Sequence, residues 1–346
     1  MLNIGTEFSL MGYRVDLLLI NETGALGTAV PKTIRKFDCG KSRAISAIPE
    51  ISSYLKKNNP NVMITALPHL NMAAIIARFI SGTGIPIIIT EHNTLSQSVR
   101  FSTTYKGRSL PSFMKLTYPF ANEIIAVSEG VKNDLRKLIG LGSKEVHVIA
   151  NPVITKALIS RSYEPPRHPW FESSDIPLIL GVGRLTPAKD FDNLIRSFSI
   201  LRRTQVARLV ILGEGPEFHS LKALITKLNL TNDVALCGFV ENPYSLMRHC
   251  SLFALSSRWE GLPTVLIEAL ACGTRVVSTD CPSGPTEILQ GGALGKLVPI
   301  SNPEALAIAI TDALHQPRPT LTPSFSTKYS PETVISQYQK VLTPFL

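Results

Sequence analysis

Two patterns alternate along this chain. Short apolar runs, bounded by Gly, Pro, Asn or Asp, are followed by stretches whose apolar residues recur every three or four positions. In the first half, Val15–Ile20, Val62–Ala66, Ile85–Thr90, Glu123–Val127 and Val146–Ile149 read as strands. Helical spacing occupies residues near 46–57, 70–81, 110–119 and 130–139, and Asn93–Leu110, rich in Ser, Thr and Arg, reads as a loop. In the second half the strands are Leu178–Val182, Arg208–Leu212, Val234–Cys237, Leu252–Leu255 and Arg275–Ser278. Strand alternating with helix predicts an α/β fold with mainly parallel sheets.

The pattern breaks at Tyr163–Trp170, YEPPRHPW, whose three prolines cannot continue a helix or a central strand. A first domain over 1–162, a linker over 163–170 and a second domain over 171–329 follow from that break. Ser330 and Pro331 then suit the N-cap and first residue of a closing helix, 330–346.

Composition narrows the class. The 346 residues are 44% hydrophobic and 18% charged, as in globular proteins, and are enough for two cores. No apolar run approaches the ~18–20 residues of a membrane span. The opening MLNIGTEFSLMGYR lacks the basic segment and apolar core of a signal peptide, so a cytoplasmic location is expected. The five cysteines (Cys39, Cys237, Cys250, Cys272 and Cys281) form no C-x-x-C pair, and His249–Cys250 is adjacent rather than ligand-spaced. The net charge of +9 is uneven: residues 1–165 hold 19 Lys and Arg against 11 Asp and Glu. That imbalance suits an anionic partner, either a membrane surface or a lipid-linked pyrophosphate, and no nucleic-acid motif accompanies it. An ordinary solvated basic face accounts for it as well.

The candidate chemistry centres on Ser256–Gly273, SSRWEGLPTVLIEALACG. Glu260 falls in a turn before Gly261 and Pro263. Glu268 lies within a helix that Gly273 terminates. Eight helical steps span ~12 Å, which suits two ends of one extended ligand better than a single bond-breaking event. Between the two glutamates a helix start offers free N–H groups and partial positive charge, a phosphate site. A ligand with hydroxyls at both ends and phosphate in the middle is a nucleotide-sugar. On spacing alone, a solvated glutamate before the helix and an exposed glutamate within it are the commoner explanation.

Upstream, Gly181-Val182-Gly183-Arg184 follows a strand, and Lys189 comes five residues after Arg184. The motif lacks the last glycine of the dinucleotide fingerprint. Its two cations could neutralise a diphosphate, or could simply be surface charges. Asp190-Phe191-Asp192 opens a helix, so Asp190 reads as an N-cap rather than a metal ligand. His92 stands at a strand end, where ligands of open α/β sheets bind, although a structural histidine would fit there too.

The segment R-W-E-G-L-P-T-V-L-I-E-A-L-A-C-G-T-R-V-V-S-T-D resembles the E-x7-E signature of retaining family 4 glycosyltransferases of the GT-B fold. T-E-H-N (90–93), V-S-E-G-V (127–131), N-P-V (151–153), G-V-G-R-L-T-P-A-K-D-F (181–191), L-G-E-G-P (212–216), G-F-V-E-N-P (238–243) and C-P-S-G-P-T-E-I-L (281–289) agree in order. The resemblance implies two Rossmann-like domains facing across a cleft, with the last helix crossing back to the first. Relative to the family pattern, the chain starts inside the helix Leu2–Gly12, without the strand and glycine-rich loop before it.

The resemblance also assigns roles. Arg184 and Lys189 would hold the donor diphosphate, with Gly183 and Gly213 on the loops beside it. Glu260, Gly261, Leu262 and Pro263 would face sugar and phosphate, Glu268 the ribose, and Phe239 and Val240 the base edge. His92 would orient the sugar. The implied reaction transfers a hexose or N-acetylhexosamine from a UDP- or GDP-sugar to a cell-envelope glycan or lipid-linked acceptor. It would proceed with retention and without metal or cofactor. The alternative is a catalytically inactive GT-B subunit that binds nucleotide-sugar within an assembly.

Overall fold

The computed structural model of the chain describes residues 1–22, 30–101, 105–171 and 176–346. They form two compact units, Met1–Pro152 with Pro331–Leu346, and Val153–Ser330.

The first unit runs α1 (Leu2–Leu10), β1 (Asp16–Leu19), β2 (Arg35–Asp38), α2 (Ile48–Asn58), β3 (Met63–Ala66), α3 (Pro68–Ser81), β4 (Ile87–Glu91), α4 (Leu95–Arg100), α5 (Tyr105–Thr117), β5 (Glu123–Ala126), α6 (Glu129–Ile139) and β6 (His147–Val148). All its pairings are parallel, and β4, buried along its whole length, is central to the order β3-β4-β5-β6. Local chemistry sets the element ends. Ser128 caps α6 by accepting the Val131 N–H at 3.2 Å, and Gly140 ends that helix in the left-handed region at φ 63°.

Three features depart from the sequence reading. The strands of this unit form two sheets rather than one, because β1 pairs only with β2 among the described residues. The sheets nevertheless share a layer: Leu18 of β1 and Met63 of β3 pack into one cluster with Ile51, Leu55, Ala73 and Ala77 of α2 and α3. Second, β2 escaped notice because Arg-Lys-Phe-Asp has no apolar run. It is held by pairing with β1, by the Arg35–Asp16 ion pair at 2.5 Å and by Phe37 against Tyr54 at 5.0 Å. Third, the segment expected as a loop over Asn93–Leu110 contains α4 and the start of α5, with 102–104 lying outside the described residues.

The second unit runs α7 (Lys156–Ser162), β7 (Leu178–Val182), α8 (Phe191–Leu201), β8 (Arg208–Leu212), α9 (Phe218–Lys227), β9 (Val234–Leu236), α10 (Pro243–His249), β10 (Leu252–Leu255), α11 (Thr264–Ala271), β11 (Val276–Thr279), α12 (Pro285–Ile288), β12 (Lys296–Val298), α13 (Pro303–Leu314) and α14 (Pro323–Lys328). Its parallel sheet has the order β12-β11-β10-β7-β8-β9. The strand order therefore reverses between β7 and β10, and the loops leaving their carboxyl ends diverge there. That is where an open α/β sheet leaves a crevice. Leu194, Ile195 and Phe198 of α8, with Leu306 and Ile310 of α13, cover one sheet face and are fully buried.

The proline-rich stretch does not mark the boundary between the units. Residues from Val153 onward, including α7, belong to the second unit. Ser162 Oγ accepts from Arg248 Nε of α10 at 2.9 Å, and Asn242 donates to the Arg161 carbonyl at 3.0 Å. Those bonds anchor α7 ahead of the prolines. A final helix, α15 (Pro331–Leu342), returns to the first unit. There Val334, Ile335, Tyr338 and Leu342 close over Ile88, Ile125 and Ile149, and over Ile4 and Phe8 of α1. Among the described residues, no helix is long and apolar enough to cross a membrane.

Tyr338 is 1% exposed within that contact, so Tyr338→Ala should destabilise the first unit. The expected loss is about 3 kcal/mol, the scale of a large aromatic truncation in a core. Urea unfolding followed by a probe in the first unit measures it, and a midpoint equal to wild type would contradict the packing role of α15.

Candidate functional site

The loops after β7, β8 and β9 are bound to one another backbone to backbone. Gly183 N–H donates to Leu212 O at 2.9 Å, Leu185 N–H to Glu214 O at 2.9 Å, and Gly213 N–H to Gly238 O at 2.7 Å. The approach admits only glycine. A Cβ on Gly213 would sit 1.9 Å from Gly183 O, and one on Gly215 would sit 2.3 Å from Leu185 O. Gly213 is thus required by a backbone crossing and is more than a turn residue. Phe239, just beyond Gly238, presents a side chain 73% exposed to solvent, with Val240 following.

Across the switch point, the loop after β7 is tied to the loop after β10. Arg258 N–H donates to Ala188 O at 2.8 Å, and Ser256 Oγ donates to Lys189 O at 2.8 Å. Arg258 Nη2 donates to Asp190 Oδ1 at 2.8 Å, while Ser301 Oγ reaches Asp190 Oδ2 at 3.1 Å. Asp190 occupies the N-cap position of α8, as expected, but holds the left-handed conformation (φ 48°, ψ 48°) and makes no side-chain cap bond. Its carboxylate is taken up by the neighbouring loop instead. Asp192 pairs with Arg196 one turn along α8 at 2.5 Å.

This double tie brings Lys189 Nζ to within 2.5 Å of Glu260 Oε1, with the two side chains 20% and 10% exposed. Ser257 Oγ donates to the same oxygen at 2.6 Å. The turn that follows is fixed from a third loop: Glu260 N–H donates to Pro282 O at 3.2 Å, and Ser283 Oγ donates to Gly261 O at 2.8 Å. Gly261, Leu262 and Pro263 are buried beneath this lattice. Pro263 is the N-cap, and α11 starts at Thr264. The opening N–H groups of α11 therefore emerge beside the Lys189–Glu260 contact, a positive helix end next to a cation. Arg184 stands exposed near the start of the same loop, and its guanidinium has no protein partner among the described residues.

Glu268 lies within α11 at the far end of this array. Burial pushes its carboxyl up to about 7, opposed by a hydrogen bond from Thr264 and by the charge of Lys189. Lys189 contacts Glu260 and acts electrostatically on Glu268, so these three residues singled out from the sequence lie near one another. Ser257, Arg258, Asp190 and Ser301, which hold them in place, were not anticipated. Only the proximity of Arg258 to Glu260 in sequence hinted at any of the four.

His92 belongs to the first unit, where it follows β4. Its Nε2 lies 3.0 Å from Thr90 Oγ1, and burial together with the amino-terminal ammonium pulls its pKa down to about 4. The imidazole is therefore neutral at ordinary pH. Beneath it, Glu91 is fully buried, accepts from Asn71 Nδ2 at 2.9 Å and from the Tyr118 hydroxyl, and is raised to about 7 by desolvation. Among the described residues, no group of three or more His, Cys, Asp or Glu is arranged to hold a metal ion.

Comparison with known proteins finds a family match in each half of the chain. Residues 166–326 match the family described as glycosyl transferases group 1, and residues 1–157 the family described as Glycosyltransferase Family 4. A Campylobacter jejuni protein named N-acetylgalactosamine-N,N'-diacetylbacillosaminyl-diphospho-undecaprenol 4-alpha-N-acetylgalactosaminyltransferase is 34% identical over 309 residues, covering 85% of this chain and 80% of that one. The chain belongs to glycosyltransferase family 4. Its fold is GT-B, two Rossmann-like domains. The structure of Anabaena Alr3699/HepE in complex with UDP-glucose aligns with a TM-score of 0.77 at 19% identity, over 99% of this chain and 94% of that one. The apo form of the lipopolysaccharide outer core galactosyltransferase WaaB aligns at 0.72 and 19% identity, over 99% and 94%.

The raised carboxyl of Glu268 gives a signed prediction. Between 4.5, its ordinary value, and about 7, the folded protein retains a proton that the unfolded chain releases. Its contribution to stability is therefore present at low pH and is lost as pH rises through that window. Glu268→Gln should flatten the pH dependence of second-unit melting between these limits. Parallel melting curves for variant and wild type across the window would show that the carboxyl is not desolvated.

Proposed function

We propose that this family 4 chain transfers a sugar from a nucleoside diphosphate donor to a glycan acceptor, with retention of configuration. The observation that carries the reading is the Lys189–Glu260 contact before α11, with Arg184 on the same loop unpartnered among the described residues. A diphosphate placed there meets two cations and a helix start, and loses little by leaving water. Glu260 then faces the sugar, and Glu268 lies far enough along α11 to accept hydrogen bonds from ribose hydroxyls. The relative named for an undecaprenyl-diphosphate acceptor supports a lipid-linked or cell-envelope glycan as acceptor. The neighbour titled as a UDP-glucose complex supports UDP as the carrier. A hexose or N-acetylhexosamine is the group transferred.

In the mechanism we favour, the bond from the anomeric carbon to the diphosphate oxygen breaks. The acceptor hydroxyl forms a new bond to that carbon on the same face, and its proton passes to the departing diphosphate. No side-chain nucleophile, metal ion or cofactor is needed. The protein contributes position and charge. Arg184 can take two phosphate oxygens at once, while Lys189 shares its charge between Glu260 and the leaving group. A neutral His92 can hydrogen-bond a sugar hydroxyl but cannot protonate one.

Arg184→Ala and Lys189→Ala should each lower turnover with a UDP-sugar and a lipid-linked acceptor by about two orders of magnitude or more, the scale of losing a transition-state charge partner. Release of UDP from donor, with and without acceptor, gives the rate. Full activity in both variants would refute the assignment. Donor binding without turnover in the wild type would identify an inactive nucleotide-sugar-binding subunit instead.

A further inference from the structure

Thr90 and His92 stand two positions apart at the carboxyl end of β4, so their side chains leave the same face, and His92 Nε2 lies 3.0 Å from Thr90 Oγ1. The distance does not say which of the two atoms supplies the proton, but the neighbours do. A threonine hydroxyl has a single proton to donate. That of Thr90 goes to Thr65 O of β3 at 2.8 Å, an oxygen that can only accept. Met1 Sδ, at 3.9 Å, is a distant and weaker competitor for it. Only lone pairs of Thr90 Oγ1 then remain for the imidazole, so Nε2 carries the hydrogen and donates it. The ring is neutral, because burial and the amino-terminal ammonium draw its pKa down to about 4. A neutral imidazole has one N–H, so Nδ1 is bare. The ring is half-buried, and Nδ1 has no hydrogen-bond partner among the described residues.

A buried network holds Thr90 in this orientation. Asn71 of α3 donates through Nδ2 to Thr90 O at 3.1 Å and to Glu91 Oε1 at 2.9 Å, and its Oδ1 accepts from Thr65 Oγ1 at 2.6 Å. The Tyr118 hydroxyl donates to the same Glu91 oxygen. Turned the other way, the Asn71 amide would set its oxygen against the Thr90 carbonyl and the Glu91 carboxyl, so its orientation is fixed. All five residues are buried, and a proton sent to the wrong atom would leave a polar group unsatisfied away from water. We propose that Thr90 is a positioning residue: it holds His92 as the Nε2–H tautomer and thereby leaves Nδ1 as the acceptor for a hydroxyl group of the ligand. The ligand part deepens the transferase reading and rests on it, whereas the tautomer lock is a property of the first unit alone. A site of this kind favours a ligand that brings an O–H to Nδ1 over an analogue lacking it.

The test uses the full chain with nitrogen-15-labelled histidine, read by long-range nitrogen–proton correlation, with His92→Gln used to assign the His92 signals. Wild type should show two widely separated ring nitrogens, Nε2 protonated and Nδ1 bare. Thr90→Val keeps the shape of the side chain without its hydroxyl, and should draw the two shifts together as the other tautomer enters. Thr90→Ser should restore the separation. Hydrolysis of UDP-glucose without acceptor, and transfer to a lipid-linked acceptor, then locate the hydroxyl. Thr90→Val should lower kcat/KM about tenfold, the scale of one hydrogen bond, with UDP affinity unchanged and Thr90→Ser close to wild type. A loss in both reactions puts the hydroxyl on the donor sugar, and a loss in transfer alone puts it on the acceptor. The proposal is overturned if wild type carries the proton on Nδ1, a measurement that needs no variant to fold. It is overturned equally if Thr90→Val leaves the nitrogen shifts unchanged or reacts as fast as wild type. If wild type turns over no donor while the nitrogens behave as stated, the transferase reading fails and the tautomer lock stands.

Discussion

A single short contact organises the second unit: Lys189 on Glu260, formed where the sheet order reverses. Strands β7 and β10 lie side by side, and their outgoing loops would separate if nothing joined them. The carbonyls of Ala188 and Lys189 accept from Arg258 and Ser256, and the Asp190 carboxylate takes the Arg258 guanidinium. These bonds convert a crevice between strands into a fixed site. The backbone cost is visible in Asp190, held left-handed, a strain that persists only when the surroundings enforce it. The glycines serve the same end, since Gly213 and Gly215 let the loop after β8 touch the loop after β7.

The electrostatic consequence is a site with one compensated cation and one open one. Pairing with Glu260 spares Lys189 the cost of partial burial and leaves its charge available to a more strongly charged anion. Arg184 is exposed and its guanidinium is unpaired among the described residues, which under the proposed function leaves it open to a phosphate. Desolvation works on the carboxylates in the opposite direction: Glu268 and Glu91 are both lifted to about 7, one in each unit. The two carboxylates on α11 and its leading turn thus have different characters. Glu260 is held close to a cation, and Glu268 is lifted by burial to about 7.

Much of this was legible in the sequence where the signal is local. Strands such as Leu178–Val182, Arg208–Leu212 and Leu252–Leu255 coincide with their apolar runs because both sides of the sheet are buried. The turn at Glu260 and the helix bearing Glu268 followed from Gly261, Pro263 and Gly273. What was not legible depends on partners distant in the chain. β2 has no apolar pattern and exists through pairing with β1. The unit boundary is set by bonds between α7 and α10, not by prolines. Asp190 sits at the helix N-cap as its sequence suggests, but Arg258, 68 positions away, claims its carboxylate in place of a cap bond.

The central claim, that Arg184 and Lys189 exist to grip a diphosphate, is tested most directly by titration calorimetry. Uridine, UMP and UDP would each be titrated against wild type and against the Arg184→Ala/Lys189→Ala double variant. The account predicts affinity rising steeply from uridine to UDP in wild type, with most of that rise abolished in the double variant and uridine affinity little changed. An equal rise in both proteins would place the diphosphate elsewhere and contradict it.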